Sequence, residues 1–263
     1  EGTHFRGLWV DPVYLAKRVV SVNISDCAAM GVAPRYALCS LIIPQDSLHI
    51  SQAQLFMEAL VSELTFHGIT LVGGNISRGA TLSISLTLLA VVQAQYSMLT
   101  RNGAVLRDMV LVTGQLGNAS YELSQLESGA QQKAAYISPS RVAFGKLLAE
   151  RKLASACIDV SDGLVLDLNR LTKASGVGAC MYEELIPVAV HANLDHALYG
   201  GEDYELLFTA KSELVPQIFE TADVTQTPVS IIGKVRQGKS GIELIDRQNR
   251  PKKLKPFGWD HLS

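Results

Sequence analysis

The stretch IDVSDGLVLDL constrains the fold more than any other part of this sequence, because it joins a buried strand to an amphipathic helix through two acids. Ile158 and Val160 are typical of the end of a buried strand, and Gly163 permits a tight turn. The period of the leucines that follow predicts a helix. An α/β unit with acids at a strand end is therefore the expected local structure.

This turn is also a candidate functional site, because Asp159 and Asp162 lie on either side of Ser161. Neighbouring carboxylates repel each other, and crowding them is costly unless a cation or a proton compensates their charge. Hard divalent metals such as magnesium prefer oxygen ligands and keep several waters that a phosphate can replace. The turn therefore indicates a magnesium and phosphate site.

Two further segments place acids in a similar setting. VNISDCAAMG carries Ser25 and Asp26 directly before residues that suit a helix start, and LYGGEDYELLF places Glu202 and Asp203 after two glycines. Each segment alone has an ordinary structural explanation, because Ser-Asp is a common helix N-cap and Gly-Gly-Glu-Asp can form a surface turn. Three acid-bearing turns in one chain favour a shared cationic site.

Hydrophobic periodicity predicts two α/β units. The predicted helices are residues 15–30, 51–67, 141–151 and 164–175, and the predicted strands are residues 36–43, 70–72, 82–92 and 109–113, with others near Leu206 and Ile231. Because the segment 93–103 lacks periodicity, we predict an N-terminal domain of residues 1–97 and a C-terminal domain of residues 98–263. The strand at 82–92 is apolar on both faces, as an interface strand or a strand covered by helices would be.

Composition argues against several classes of function. The net charge of −2 gives no electrostatic reason to expect nucleic acid or a membrane surface as a partner. No apolar run is long enough to span a membrane, and no signal peptide is predicted. The cysteines are widely spaced in apolar contexts, so we expect buried free thiols in a reducing cytoplasm at Cys27, Cys39, Cys157 and Cys180.

Motifs along the whole chain resemble those of the thiamine-monophosphate kinases, which share an ATP-binding superfamily with aminoimidazole ribonucleotide synthetase and selenophosphate synthetase. The matching stretches keep the family's order and spacing: EGTHF, SVNISDCAAMGVAPRYAL, LVGGNISRGATLSISLTL, RNGAVLRDMVLVTGQLGNAS, ISPSRV, IDVSDGLVLDLNRLTKASGVGA, GGEDYELLFTA and GWDHL. The resemblance implies a two-domain α/β (α+β) fold like that of aminoimidazole ribonucleotide synthetase. Its N-terminal mixed sheet with helices would pair in a dimer barrel, beside a C-terminal α/β domain.

The resemblance also implies roles for individual residues. Ligands of several magnesium ions on the ATP phosphates are expected at Asp26, Asn75, Asp159 and Asp162. Contacts to ATP are expected from Gly74 in a phosphate-proximal turn, and from Asn75, Arg101 and Ser161. The thiamine-phosphate pocket is expected to be lined by His4, Glu202 and Trp259. Oxygen ligands suit magnesium, a guanidinium suits phosphate, and an aromatic ring or a carboxylate suits a cationic ring.

The chain departs from the family pattern in three places. Family members usually carry a Gly-Asp-Asp turn with further acids before EGTHF, whereas this sequence begins at Glu1, so we expect the chain as it stands to bind magnesium–ATP weakly. The family's GGDT turn reads GGNI here, which places an amide, Asn75, where a carboxylate is expected. LLAVVQ stands where the family usually has a glycine.

The implied reaction is magnesium-dependent transfer of the ATP γ-phosphoryl group to thiamine monophosphate, giving thiamine diphosphate and ADP. No covalent nucleophile or general base is expected, because the acceptor phosphate is already ionised and the protein must mainly align and neutralise two polyanions. Two alternatives remain open: another ATP-dependent synthetase of the superfamily, or a member that binds without turnover. We expect a cytoplasmic homodimer that binds neither nucleic acid nor membranes.

Overall fold

A computed structural model describes residues 1–44, 50–92, 97–238 and 241–257. The N-terminal part contains α1 (Pro12–Ala29), β1 (Pro34–Pro44), α2 (Ile50–Phe66), β2 (Thr70–Gly79) and β3 (Ser83–Ala90). The rest of the chain contains β4 (Met109–Thr113), α3 (Asn118–Ser128), α4 (Val142–Glu150), β5 (Ala156–Asp159), α5 (Leu164–Ser175), β6 (Gly178–Tyr182), α6 (Leu194–Tyr199), β7 (Leu206–Ala210), α7 (Val215–Val224), β8 (Val229–Arg236), β9 (Ile242–Ile245) and β10 (Pro251–Leu254).

The N-terminal part is a mixed sheet with helices on one face. Its strand order is β2-β1-β3, with β1 parallel to β2 and antiparallel to β3. Alternate residues of β1 point to opposite faces. Ala37, Cys39 and Leu41 are buried in one cluster with apolar residues of α1 and α2, whereas Tyr36 and Leu38 are exposed. One face of this sheet therefore carries the core, and the other faces solvent in the single chain.

The second sheet has helices on both faces. Its strand order is β10-β9-β6-β8-β4-β7-β5, and every adjacent pair is antiparallel except β6 and β9. Val110 and Val112 of β4 pack in a cluster with residues of α5 and α6, and Leu111 between them packs in a second cluster with residues of α4 and α7. Because the β4 strand is buried on both faces, its sequence is a continuous apolar run.

Helix α1 joins the two parts of the molecule. Its residues Leu15 and Ile24 are buried in the N-terminal core, whereas Ala28 and Ala29 are buried in a cluster with Phe144 of α4. The C-terminal end of α1 thus lies against the second sheet and its helices. This packing brings the acid-bearing end of α1 to the ends of strands in the other part of the chain.

The predicted α/β architecture is confirmed, and the predicted segments 109–113 and 164–175 coincide with β4 and α5. Ser25 and Asp26 lie near the C-terminal end of α1, within the predicted helix 15–30, so their placement at a helix start is wrong. The strand predicted at 70–72 is confirmed, but its predicted end is wrong, because β2 continues to Gly79. Gly74 therefore lies in a strand rather than in a turn, where it pairs with Cys39 of β1.

The prediction that residues 82–92 are apolar on both faces is wrong as well. In β3 the inward positions are apolar. The exposed positions between them are three hydroxyl residues, Ser83, Ser85 and Thr87, and one apolar residue, Leu89. The prediction of buried free thiols is confirmed, since all four cysteines are free and buried. In the part of the chain that is described, no helix has both the length and the hydropathy that a membrane span needs. The division into domains at residue 97 stays a prediction.

Candidate active site

The site lies where the end of α1 meets the turn after β5. The Ser25 hydroxyl near the C-terminal end of α1 donates a hydrogen bond of 2.7 Å to Asp159 Oδ2 at the end of β5. Asp159 is buried, and Asp26, the residue after Ser25, keeps access to solvent. Two acids that are far apart in the sequence therefore lie at one junction.

The loop 200–205 packs directly against this turn through backbone contacts. Glu202 N–H donates to Ser161 O at 2.9 Å, and Tyr204 N–H donates to Val160 O at 2.9 Å. A Cβ atom at Gly201 would lie 2.5 Å from Ser161 O, so only glycine allows this approach. The third acid-bearing segment is thus fixed beside the first, which brings together parts of the chain that are about forty residues apart in sequence.

The electrostatics around Asp26 and Asp159 are those of two acids in a partly buried cleft. Burial of the carboxyl raises the pKa of Asp159, and burial together with the charge of Asp159 raises the pKa of Asp26. The guanidinium of Arg101 opposes both shifts, so this exposed arginine lies close enough to act on both carboxyls. A cation at this point would relieve the repulsion between the two acids.

Asp162 has a different environment, because Arg170 already provides it with a counter-charge. Arg170 Nη1 donates to Asp162 Oδ2 and, at 2.6 Å, to Asp167 Oδ1. The other oxygen of Asp167 accepts the backbone N–H groups of Ser161 at 3.0 Å and Asp162 at 2.9 Å. Burial raises the pKa of Asp167 to about 6. Asp167 was not among the predicted site residues, although an acid on the buried side of a leucine-rich helix was a visible signal.

Glu202 lies opposite a residue that the sequence analysis also missed. Arg18 Nη2 of α1 is 2.7 Å from Glu202 Oε2. Glu202 and Tyr204 have left-handed backbone conformations, with φ of 68° and 53°. Non-glycine residues adopt this conformation at a cost, and it is often found where a side chain is held for function. The chain therefore holds the Glu202 carboxylate against a partly buried cation.

Buried acids fix the remainder of this loop. Asp203 accepts the N–H groups of Gly117 at 2.6 Å and Ala119 at 3.2 Å, which caps the start of α3. Burial raises the pKa of Asp203 to about 7, although these backbone hydrogen bonds favour its ionised form. Glu205 receives two hydrogen bonds from Arg141, at 2.6 and 2.7 Å. Arg141 belongs to the ISPSRV stretch, to which the sequence analysis assigned no role.

The other predicted site residues lie apart from this junction or outside the described residues. Asn75 of β2 is exposed and pairs with Ser40, an outward residue of β1, so it lies on the sheet face opposite α1. The structure does not bring Asn75 next to Asp26. His4 is exposed in the segment before α1. Trp259 lies outside the described residues.

Whether the donor atoms fit magnesium can be judged from the junction itself. In residues 1–44, 50–92, 97–238 and 241–257, no group of three or more His, Cys, Asp and Glu side chains is arranged to hold a metal ion. Asp26 and Asp159 nevertheless offer hard oxygen atoms that repel each other, with the Ser161 hydroxyl nearby in sequence. Magnesium usually takes one or two carboxylates and completes its octahedron with phosphate oxygens and water. The acids fit such an ion when a phosphate ligand is present.

Family models match both parts of the chain. The model described as AIR synthase related protein, N-terminal domain, matches residues 1–92, and the model of the corresponding C-terminal domain matches residues 108–245. The thiamine-monophosphate kinase of Aquifex aeolicus (strain VF5) is 33% identical over an alignment of 281 positions, gaps included. The alignment covers 100% of this chain and 85% of that protein.

Solved structures give the same result. The structure described as "AaThiL complexed with AMPPCP and TMP" is 31% identical, with a TM-score of 0.84 over 99% of this chain and 84% of that chain. The thiamine-monophosphate kinase from Stenotrophomonas maltophilia K279a is 30% identical, with a TM-score of 0.83 over 93% of this chain and 82% of that chain. Sequence and structure agree over nearly the whole chain, and the chain belongs to the thiamine-monophosphate kinase family.

Proposed function

We propose that this chain is an ATP-dependent kinase that transfers the γ-phosphoryl group of ATP to the phosphate of thiamine monophosphate, giving thiamine diphosphate and ADP. The observation that carries this proposal is the junction at which Ser25 binds Asp159 at 2.7 Å while Glu202 N–H binds Ser161 O at 2.9 Å. Acids for a phosphate-bound cation and a carboxylate for a cationic ring are thereby placed side by side. Membership of a kinase family supports the same reaction.

Asp26 and Asp159 would hold magnesium, and Asp162 and Asn75 are further candidate ligands. When bound, magnesium neutralises the ATP phosphates and lowers the repulsion between the two anionic substrates. Asp162 would serve only if Arg170 releases its carboxylate or shares it, because that ion pair occupies Asp162 Oδ2. Asn75 would need an approach from the outward face of the N-terminal sheet.

On the nucleotide side, the protein itself contributes charge and alignment. Arg101 lies close enough to oppose the rise in the pKa of both Asp26 and Asp159, and a guanidinium at this position suits the phosphates of ATP. Ser161 and Gly74 are the other residues proposed for the nucleotide. The rigid turn around Asp167 fixes Ser161, since Asp167 accepts the Ser161 N–H. Fixed donors of this kind accelerate a reaction because they need no reorganisation during the transfer.

On the acceptor side, we propose that Glu202 faces the cationic thiazolium ring of thiamine monophosphate. A carboxylate near a fixed positive charge is favourable, above all in a cleft with few waters. His4 and Trp259 complete the proposed pocket. No general base is needed, because the acceptor oxygen carries negative charge before the transfer.

The proposed assembly is a cytoplasmic homodimer that forms through the N-terminal sheet. The outward face of this sheet exposes Tyr36, Leu38 and Ile42 of β1, and each of these side chains is at least 38% accessible. A row of exposed apolar residues on a strand is typical of an interaction surface. Four buried free thiols support a reducing compartment.

The proposed reaction is tested by incubating the full-length gene product with magnesium–ATP and one candidate acceptor at a time. We expect ADP and thiamine diphosphate to form in equal amounts with thiamine monophosphate. Little ADP should form with unphosphorylated thiamine or with an aminoimidazole ribonucleotide precursor. ADP release with the precursor alone would favour a synthetase, and tight binding of thiamine monophosphate without turnover would favour a non-catalytic member.

A further inference from the structure

Helix α1 presents four side chains to the C-terminal part of the chain, at the spacing of one helix face. Tyr14 donates to Tyr136 O at 2.9 Å, and Ser21 accepts a hydrogen bond of 3.3 Å from Ser138. Arg18 lies between these two contacts and pairs with Glu202. Ser25 follows about one turn further along the face and binds Asp159. The same face therefore reaches both the acceptor side and the acids of the nucleotide side.

Arg18 is a partly buried cation with anionic and aromatic neighbours. Its side chain is 15% accessible, and that of Glu202 is 35% accessible. Burial acts to lower the pKa of Arg18, but the Glu202 carboxylate and the phenols of Tyr14 and Tyr204 raise it by more, so Arg18 remains charged. The ion pair uses Nη2 of the guanidinium. A guanidinium has five N–H donors, so this pair leaves donor capacity for a second anion.

Under the proposed function, the acceptor is a zwitterion with an anionic phosphate and a cationic ring. An arginine and a glutamate side by side offer one group for each of these charges. The distance along α1 is also suitable. Arg18 and Ser25 are seven residues apart, or roughly 10 Å at 1.5 Å per residue, and the long Arg18 side chain can cover part of that distance.

We infer that Arg18 is a specificity-determining residue that binds the phosphate of the acceptor, while Glu202 binds its cationic ring. This inference rests on the proposed function and adds one element to it, the reason for a preference for the phosphorylated acceptor over free thiamine. In the absence of acceptor, the two residues neutralise each other. When the acceptor is bound, its phosphate takes the remaining donors of Arg18, and Glu202 stays near the ring.

The competing explanation is structural: Arg18 only holds Glu202 in place. The two explanations differ for free thiamine, which has the cationic ring but lacks the phosphate. If Arg18 binds phosphate, its removal weakens only the phosphorylated ligand. If Arg18 only positions Glu202, its removal weakens both ligands alike.

Calorimetry without ATP, with thiamine monophosphate and thiamine as the probes, distinguishes these explanations. For Arg18→Gln we expect the Kd for thiamine monophosphate to rise about 10- to 100-fold, the loss that corresponds to a charged hydrogen bond. The Kd for thiamine should change less than about threefold. Arg18→Lys, which keeps the charge, should restore part of the preference. Arg151→Gln, which removes a surface arginine beside Glu220, is the matched control and should leave both affinities unchanged.

Glu202→Gln completes the design, because it should weaken both ligands by a similar factor. Equal weakening of both ligands by Arg18→Gln, or disappearance of its effect in the Glu202→Gln background, would overturn the inference. If Arg18→Gln does not fold, as thermal unfolding would reveal, the Arg18→Gln/Glu202→Gln double variant decides, because it leaves no unpaired carboxylate: a ratio of the two affinities equal to that of Glu202→Gln overturns the inference. A wild-type protein that binds thiamine monophosphate but never phosphorylates it contradicts the proposed function, not the role of Arg18.

Discussion

At the scale of single residues, the acids of the junction differ in what surrounds them. Arg170 already neutralises Asp162, whereas the buried Asp159 receives a neutral donor, the Ser25 hydroxyl. Burial and the charge of the nearby Asp159 make ionisation of the Asp26 carboxyl less favourable, which raises its pKa. Crowded acids of this kind destabilise the protein unless a ligand uses their charge, so they are better explained by function than by packing.

We therefore expect Asp159→Asn to reduce kcat/KM for the proposed transfer by about 10²- to 10³-fold, since fixed electrostatic contacts to a transition state are worth about this much. The free energy of unfolding should stay the same or rise, because the variant removes one of two repelling charges and Asn can still accept the Ser25 hydrogen bond. Steady-state kinetics and urea unfolding measure the two effects. Asp246→Asn, in an exposed turn, is the control. Turnover like that of the wild type would exclude Asp159 from the reaction.

At the scale of elements, the loop between α6 and β7 is held by contacts to three other elements. Asp203 caps α3, Glu205 binds Arg141 just before α4, and Glu202 pairs with Arg18 of α1. Each contact joins segments that are more than sixty residues apart. The left-handed conformations of Glu202 and Tyr204 are kept because these contacts fix the loop from several sides.

The cap of α3 gives a prediction about pH. Because the pKa of Asp203 is about 7 in the folded chain and near 4 in an unfolded one, the folded state binds more protons between these values. Stability from Asp203 is therefore present at low pH and lost as pH rises toward 7. We compare the free energy of unfolding of the wild type with that of Asp203→Asn, measured by urea unfolding at about pH 5 and about pH 8. The wild-type value minus the variant value should be smaller at the higher pH than at the lower by more than about 1 kcal/mol.

A matched control for this experiment is Asp11→Asn, which alters the exposed cap of α1. Its effect on the free energy of unfolding should be the same at both pH values. A pH-independent difference for Asp203→Asn as well would mean that Asp203 is ionised throughout, and that its hydrogen bonds from Gly117 and Ala119 outweigh its burial.

At the scale of the whole molecule, the N-terminal sheet has one covered face and one exposed face. Its inner face is covered by α1 and α2, but its outer face exposes apolar side chains of β1 next to the hydroxyl residues of β3. Leu38 lies at the centre of this face, between Gly73 of β2 and Thr87 of β3. A homodimer would bury this surface, as proposed above.

If this sheet face forms the dimer, Leu38→Lys should raise the monomer–dimer Kd by at least about 100-fold. An unpaired charge would then be buried in an apolar interface. Sedimentation velocity over a range of protein concentrations measures this change. Val224→Lys alters a more exposed apolar residue at the end of α7 and should have no effect. A dimer unchanged by Leu38→Lys would place the interface elsewhere, and a wild-type monomer would exclude it.

Local sequence determined the elements whose pattern is complete within one segment. The leucine period and the turn glycine were sufficient for α5, and the apolar run was sufficient for β4. Local sequence was not sufficient to predict the full length of β2, because the pairing of Gly74 with Cys39 depends on a neighbouring strand. The motifs, read together, were enough for the family.

Tertiary structure alone decided which of the predicted site residues lie together. Asp26 meets Asp159 because α1 packs into the C-terminal core, and Asn75 does not, because its position on the pleat of β2 turns it to the other face. The roles of Arg18 and Arg141 could not be predicted from sequence, since each arginine pairs with a glutamate more than sixty residues away. Periodicity is a local property, whereas burial and charge pairing arise only once distant segments are packed together.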